Sequence, residues 1–106
     1  MTAATDLVPV FAALGDDTRW GVLQAVGDSA RSASALAKVL PVTRQAIARH
    51  LAVLEQAGLV EQVPVGREIR YRAVGATLSA AAHRLAAIGA AWDEQLAAIK
   101  RIAESL

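Results

Sequence analysis

Mostly helix, one small β-hairpin and a long closing helix: this is the architecture the sequence dictates. Apolar residues recur at helical spacing along most of the chain, and the period drops to two only around residues 59–73. From residue 76 to residue 106 nothing breaks a seven-residue apolar repeat. The 106 residues make one domain, and 55% are hydrophobic but only 4% aromatic, so the core is built of small side chains and closely packed helices.

The first helix covers residues 7–14. Leu7, Val10, Phe11 and Leu14 fall at i, i+3, i+4 and i+7. Either Thr5 or Asp6 can cap it, and Pro9 sits in the first turn, where a missing N–H costs little. Asp16 caps a second helix that runs to about Val26, with Trp20, Leu23 and either Val22 or Val26 facing inward, and Gly27 closes it. Ser32 or Ser34 starts a short third helix carrying Leu36, Val39 and Leu40, which Pro41 ends. Thr43 is a good N-cap for a fourth helix, and Gly58 is its stop.

Beyond Gly58 the segments LVEQVP and EIRYRA flank Val65-Gly66-Arg67. Ile69, Tyr71 and Ala73 alternate with Glu68, Arg70 and Arg72, so a β-hairpin follows with Gly66 in the left-handed turn position. Pro64 is acceptable at an edge or strand end, while the inward face of the first strand stays ambiguous. In the last helix Leu78, Leu85, Trp92, Ile99 and Leu106 are seven apart. Ala81, Ile88 and Ile102 lie three residues further on, with Gln95 the exception, and Leu96 widens the stripe. At ~1.5 Å per residue this helix would be ~46 Å long.

Several function classes drop out. The chain has no cysteine, which removes disulfides, thiolate metal sites and cysteine nucleophiles. No Ser-His-Asp order, carboxylate pair or glycine-rich phosphate loop marks an enzyme, and no cofactor is expected. AAAHRLAAIGAAW is interrupted by His83 and Arg84 and is too short for a bilayer, and MTAATDLVP has no secretory pattern. A cytoplasmic protein without a membrane partner is the expectation.

Net charge is only +1, but its distribution is uneven. Residues 41–73 hold five arginines and His50 against three glutamates, whereas the two flanking thirds are near balance. Within that basic third stands TRQAIARHLAVLEQAGLV, residues 43–60. On a helix, Ile47, Leu51, Leu54 and Gly58 share one face, which packs on the third helix. The opposite face carries Gln45, Arg49, Ala52 and Gln56, with Arg44 and Ala48 to one side. A helix entering a DNA major groove needs this mixture. Arginine and glutamine bind bases bidentately, while alanines let the backbone approach or touch a thymine methyl. Thr43 at the N-terminus favours a nearby phosphate. His50 falls at the core border, where it packs and donates one hydrogen bond to backbone or phosphate.

The short third helix, the turn Leu40-Pro41-Val42-Thr43 and the fourth helix make a helix-turn-helix over 34–58, and the hairpin over 59–73 adds a wing. Arg67 at the tip, with Arg70 and Arg72 on one strand face, can follow the phosphates or enter the minor groove. FAALGDDTRWGVLQAV, LAKVLPVTRQAIARHLAVLEQAGLV and GREIRYRA together resemble the ArsR-type winged helix-turn-helix repressors over about residues 8–75. The resemblance implies a homodimer on operator DNA, an effector that releases it, recognition-helix positions at Arg44, Gln45, Ala48, Arg49 and His50, and a wing tip at Arg67. Three residues depart from the family pattern: Ala48 stands where serine is common, Trp20-Gly21 replaces an aliphatic-basic pair, and Pro64 is uncommon in the wing.

Metal-responsive relatives use cysteine pairs near the third helix or carboxylate-histidine sets on the last one. Here there is no cysteine, and the last helix has His83 with Asp93 ten residues on and Glu94 beside it, so no metal site is expected. Any inducer is then another small molecule. The apolar stripe outruns so small a domain, which implies a two-fold partner with Leu7, Phe11, Leu78, Leu85, Trp92, Leu96 and Ile99 at the interface, formed by helices 7–14 and 76–106. Two recognition helices ~34–36 Å apart then meet a near-palindromic site on double-stranded DNA. The competing readings are a winged helix that lost DNA binding and serves protein interaction, and a metal-responsive repressor.

Overall fold

The computed structural model describes residues 7–105. In chain order it has α1 (Val8–Leu14), α2 (Asp17–Ala25), β1 (Arg31–Ser32), α3 (Ala33–Val39), α4 (Arg44–Gln56), β2 (Val60–Val65), β3 (Glu68–Ala73) and α5 (Gly75–Ser105). The fold is a mainly helical winged helix-turn-helix with a long last helix, as the sequence implies.

Helix starts follow their caps. The Asp16 carboxylate accepts from the Arg19 N–H at 3.0 Å, Ser32 Oγ from Ala35 at 3.1 Å, and Thr43 Oγ1 from Ala46 at 3.1 Å. For α1 the proposed caps Thr5 and Asp6 lie outside the described residues, as does Leu106 at the end of the stripe; the N-cap position is Leu7, and Pro9 is in the first turn. The core gathers Val22, Val26, Leu36, Ile47, Leu51, Leu54 and Leu59, all essentially without solvent contact. Val10 and Ala13 of α1, Val60 of β2 and Ala81 of α5 complete it.

Trp20 departs from the expected inward face, because it is 50% exposed. The buried face of α2 is Val22, Leu23 and Val26, one residue round from the Trp20 line, and Arg19 occupies the position toward α1. Val39 of α3 is likewise exposed.

The exit from α4 sets the wing. The Gly58 N–H donates to Glu55 O at 2.9 Å, and the Leu59 N–H donates to Leu54 O at 2.9 Å. This is a Schellman ending: Gly58 takes φ 77°, and Leu54 and Leu59 close it as a buried apolar pair. The chain then enters β2, which pairs antiparallel with β3 from Val60↔Ala73 to Val65↔Glu68. Gly66, φ 62°, begins the two-residue turn, and among the described residues only glycines have positive φ, the pattern of a II′ hairpin. Sheet order is β1-β3-β2, so Pro64 lies on an edge strand. The ambiguity of β2 resolves with Val60 buried at its start and little else covered. β1 is an addition: Arg31 pairs with Tyr71 and Ser32 with Arg70, too short a strand to leave a period in the sequence.

α5 packs on the domain only at its beginning. Ala81 is buried and Leu78 lies against the core, but Leu85, Ile88, Trp92, Leu96, Ile99 and Ile102 are each more than half exposed. Leu7 and Phe11 of α1 are half-buried on the core. No helix among the described residues is long and apolar enough to cross a membrane.

Candidate nucleic-acid interface

α4 is held from one side and bare on the other. Ile47, Leu51 and Leu54 are buried against α2, α3 and β2. Arg44, Gln45, Ala48, Arg49, Ala52 and Gln56 are exposed along the opposite face, with Thr43 exposed at the N-cap. The two classes separate because the three buried residues follow i, i+4 and i+7, leaving a continuous polar and small-residue row a half-turn away. Thr43 Oγ1 satisfies one N–H of the first turn and leaves others directed off the helix end.

Two of the candidate residues have partners that spacing does not disclose. The Arg44 Nε donates to Ser34 Oγ on α3 at 2.9 Å, which fixes the direction of that arginine. His50 is not in the exposed row. It is half-buried and turned toward α2, with Nδ1 3.8 Å from the Asp16 carboxylate and 3.4 Å from Arg19 Nη1. Arg19 in turn donates to Ala13 O at 2.6 Å and Ala12 O at 3.5 Å, the last carbonyls of α1. These three side chains therefore tie α1, the start of α2 and the middle of α4 together. The Arg19 backbone N–H outweighs desolvation and, with the charges of Arg19 and His50, holds the Asp16 carboxyl below the usual carboxylate range.

The wing carries Arg67 at its exposed tip. Arg70 sits 3.2 Å from Glu68 and Arg72 2.6 Å from Glu61, which faces it across the hairpin. Exposed pairs of this kind contribute only ~0–1 kcal/mol, so a phosphate can displace the carboxylates. The sequence reading placed the two arginines on one face but missed their acidic partners. The cross-strand register Glu61↔Arg72 appears only once the hairpin is closed.

His83, Asp93 and Glu94 are exposed on α5, and among the described residues no three imidazole or carboxylate groups come together. The stripe Leu85, Trp92, Leu96 and Ile99 stands free of the rest of the described chain.

A helix-turn-helix domain family matches residues 14–63. Among solved structures, an ArsR-like transcriptional regulator from Rhodococcus sp. RHA1 shares 61% identity, covering 94% of this chain and 94% of its own, with a TM-score of 0.82. The cadmium metal-sensor CMTR from Mycobacterium tuberculosis is 35% identical over 64% of this chain and 70% of its own, with a TM-score of 0.58. The homodimeric winged helix-turn-helix DNA-binding domain Mb0332 from Mycobacterium bovis is 26% identical over 85% of this chain and 81% of its own, with a TM-score of 0.64. None of the curated proteins matches.

Proposed function

Because the chain belongs to the ArsR family of transcriptional regulators, we propose that it acts as a homodimeric repressor that binds a near-palindromic operator. The observation that carries this reading is the bare face of α4, where Gln45, Ala48 and Arg49 project from a helix clamped by Ile47, Leu51 and Leu54. Gln45 and Arg49 read base edges in the major groove, and Ala48 and Ala52 permit close approach. Arg44, Thr43 and the wing residues Arg67, Arg70 and Arg72 meet phosphate and the neighbouring groove. His50 holds α4 to α2 and acts on the DNA through that placement.

The unpartnered stripe of α5 supports a two-fold interface, with Leu7 and Phe11 of α1 beside it. Homodimerisation sets the two α4 helices against successive major grooves ~34–36 Å apart. The protein either has no inducer or takes a small molecule other than a thiolate-bound metal, since the chain has no cysteine.

Selection of bound duplexes from a random pool tests the reading. The expected outcome is an inverted repeat whose half-sites are one helical turn apart, with affinity that falls steeply as salt rises. Recovery of no enriched sequence at low salt would refute it and favour a protein-interaction module. A set of candidate ligands can then be ranked by the rise each gives in melting temperature.

A further inference from the structure

Between α3 and the hairpin lies a cleft of about 570 Å³ whose walls include Ser34, Lys38, Arg44, Arg67, Glu68 and Tyr71. Three separate elements bring cations to it: Lys38 from α3, Arg44 from α4 and Arg67 from the wing tip. Its one acidic wall residue, Glu68, is already engaged by Arg70 at 3.2 Å. Lys38 and Arg67 have no ion-pair partner within 4.0 Å among the described residues. The cleft therefore carries a positive excess in a chain whose net charge is only +1.

Ser34 and Lys38 are four apart on α3 and so share a face. Ser34 Oγ accepts from Arg44 Nε, which leaves both terminal nitrogens of that guanidinium free for a second partner. Three cations around a concave space match one tetrahedral dianion or monoanion better than they match a flat base edge.

We propose that this cleft seats a backbone phosphate of the bound duplex, with Lys38 and Arg67 as its cations and Ser34 positioning Arg44 toward that phosphate instead of a base. The inference rests on the DNA-binding reading above and refines it. Lys38 and Ser34 join the interface, and Arg44, already set on the phosphate side, gains a defined seat there. Lys38 escapes a sequence reading because α3 shows only its apolar residues as pattern, and its link to the wing exists only in three dimensions.

The experiment follows binding of the intact chain to its selected duplex and to an unrelated duplex across a salt series, by fluorescence anisotropy. Lys38→Gln removes one phosphate contact in each protomer of the dimer, and is expected to weaken both duplexes by the same factor, about fivefold, and to flatten the salt slope by about 1.8. Lys38→Arg restores the slope. Ser34→Ala weakens both duplexes about equally without changing the preference between them, and Ser34→Thr restores affinity. An arm with inorganic phosphate added at constant ionic strength separates a seat for free anion from one for DNA: the wild-type affinity is expected to stay unchanged. Competition by millimolar phosphate that persists in Lys38→Gln would put the displaced contact elsewhere and overturn the seat, whereas competition that Lys38→Gln abolishes would support it. An unchanged slope in Lys38→Gln, or an altered sequence preference in Ser34→Ala, would overturn the phosphate seat while leaving DNA binding intact. Failure of the wild-type chain to bind any duplex would remove the premise itself.

Discussion

Replacing Trp92 by alanine tests the dimer at the largest exposed side chain of the α5 stripe. Trp92 is 61% exposed on α5, and a tryptophan side chain offers about 200 Å² to bury, so roughly 120 Å² awaits cover. At ~25 cal/mol/Å² this is worth ~3 kcal/mol in each protomer, of which alanine would retain a minor part. A two-fold interface counts every substitution twice, so the loss is ~4–5 kcal/mol per dimer. Association constants should fall by about three orders of magnitude. Sedimentation equilibrium over a concentration series measures this directly. Trp20→Ala is the control, because Trp20 is 50% exposed but belongs to α2, not to either proposed interface helix; it should leave the dimer constant unchanged. A Trp92→Ala constant within threefold of wild type, or a wild-type chain that stays monomeric at ~100 µM, would refute the placement of α5 at the interface.

Arg49→Ala should reduce affinity for the selected duplex by ~1–3 kcal/mol per half-site and relax the preference at one base position in each half-site, read by repeating the selection with the variant. Leu54, with no solvent exposure, lies under both α4 and its Schellman end, so Leu54→Ala should destabilise the fold by ~2–5 kcal/mol in denaturant titration. Gly58→Ala meets nothing closer than Thr77 Oγ1 at 3.7 Å, so its penalty comes from the φ of 77° alone, ~1–2 kcal/mol, visible as a lower melting temperature. Asp16 has its carboxyl held below its unfolded value, so it adds stability at neutral pH that is lost as pH falls through the folded value. The difference in melting temperature between wild type and Asp16→Asn should therefore close below the ordinary carboxylate range, and a gap that widens in acid would contradict the assignment.

What could be read from the chain was whatever leaves a local signature. Asp16 and Thr43 announce helix starts because each side chain bonds an amide only three residues ahead. Gly58 and Gly66 announce a helix end and a turn because both adopt positive φ. The anchoring face of α4 follows from the spacing of Ile47, Leu51 and Leu54 alone. Trp20 misled because it is three residues from Leu23 and so shares an apolar line with it, whereas the buried side is Val22, Leu23 and Val26, with Arg19 reaching to α1. The two residues of β1 leave no period to detect. The contacts that shape the candidate site are long-range: Arg44 to Ser34, His50 to Asp16 and Arg19, and Arg72 to Glu61. Each needs the turn or the hairpin to be built first.

The main chain at Leu59 serves two elements at once. Its N–H ends α4 on Leu54 O, and its carbonyl accepts the Val74 N–H at 2.8 Å, one residue before α5 begins. α4 and α5 thus share one anchoring residue. Two hydrogen bonds join the end of α4 to the start of α5, a main-chain link between the two surfaces that the proposed function assigns to DNA and to the partner.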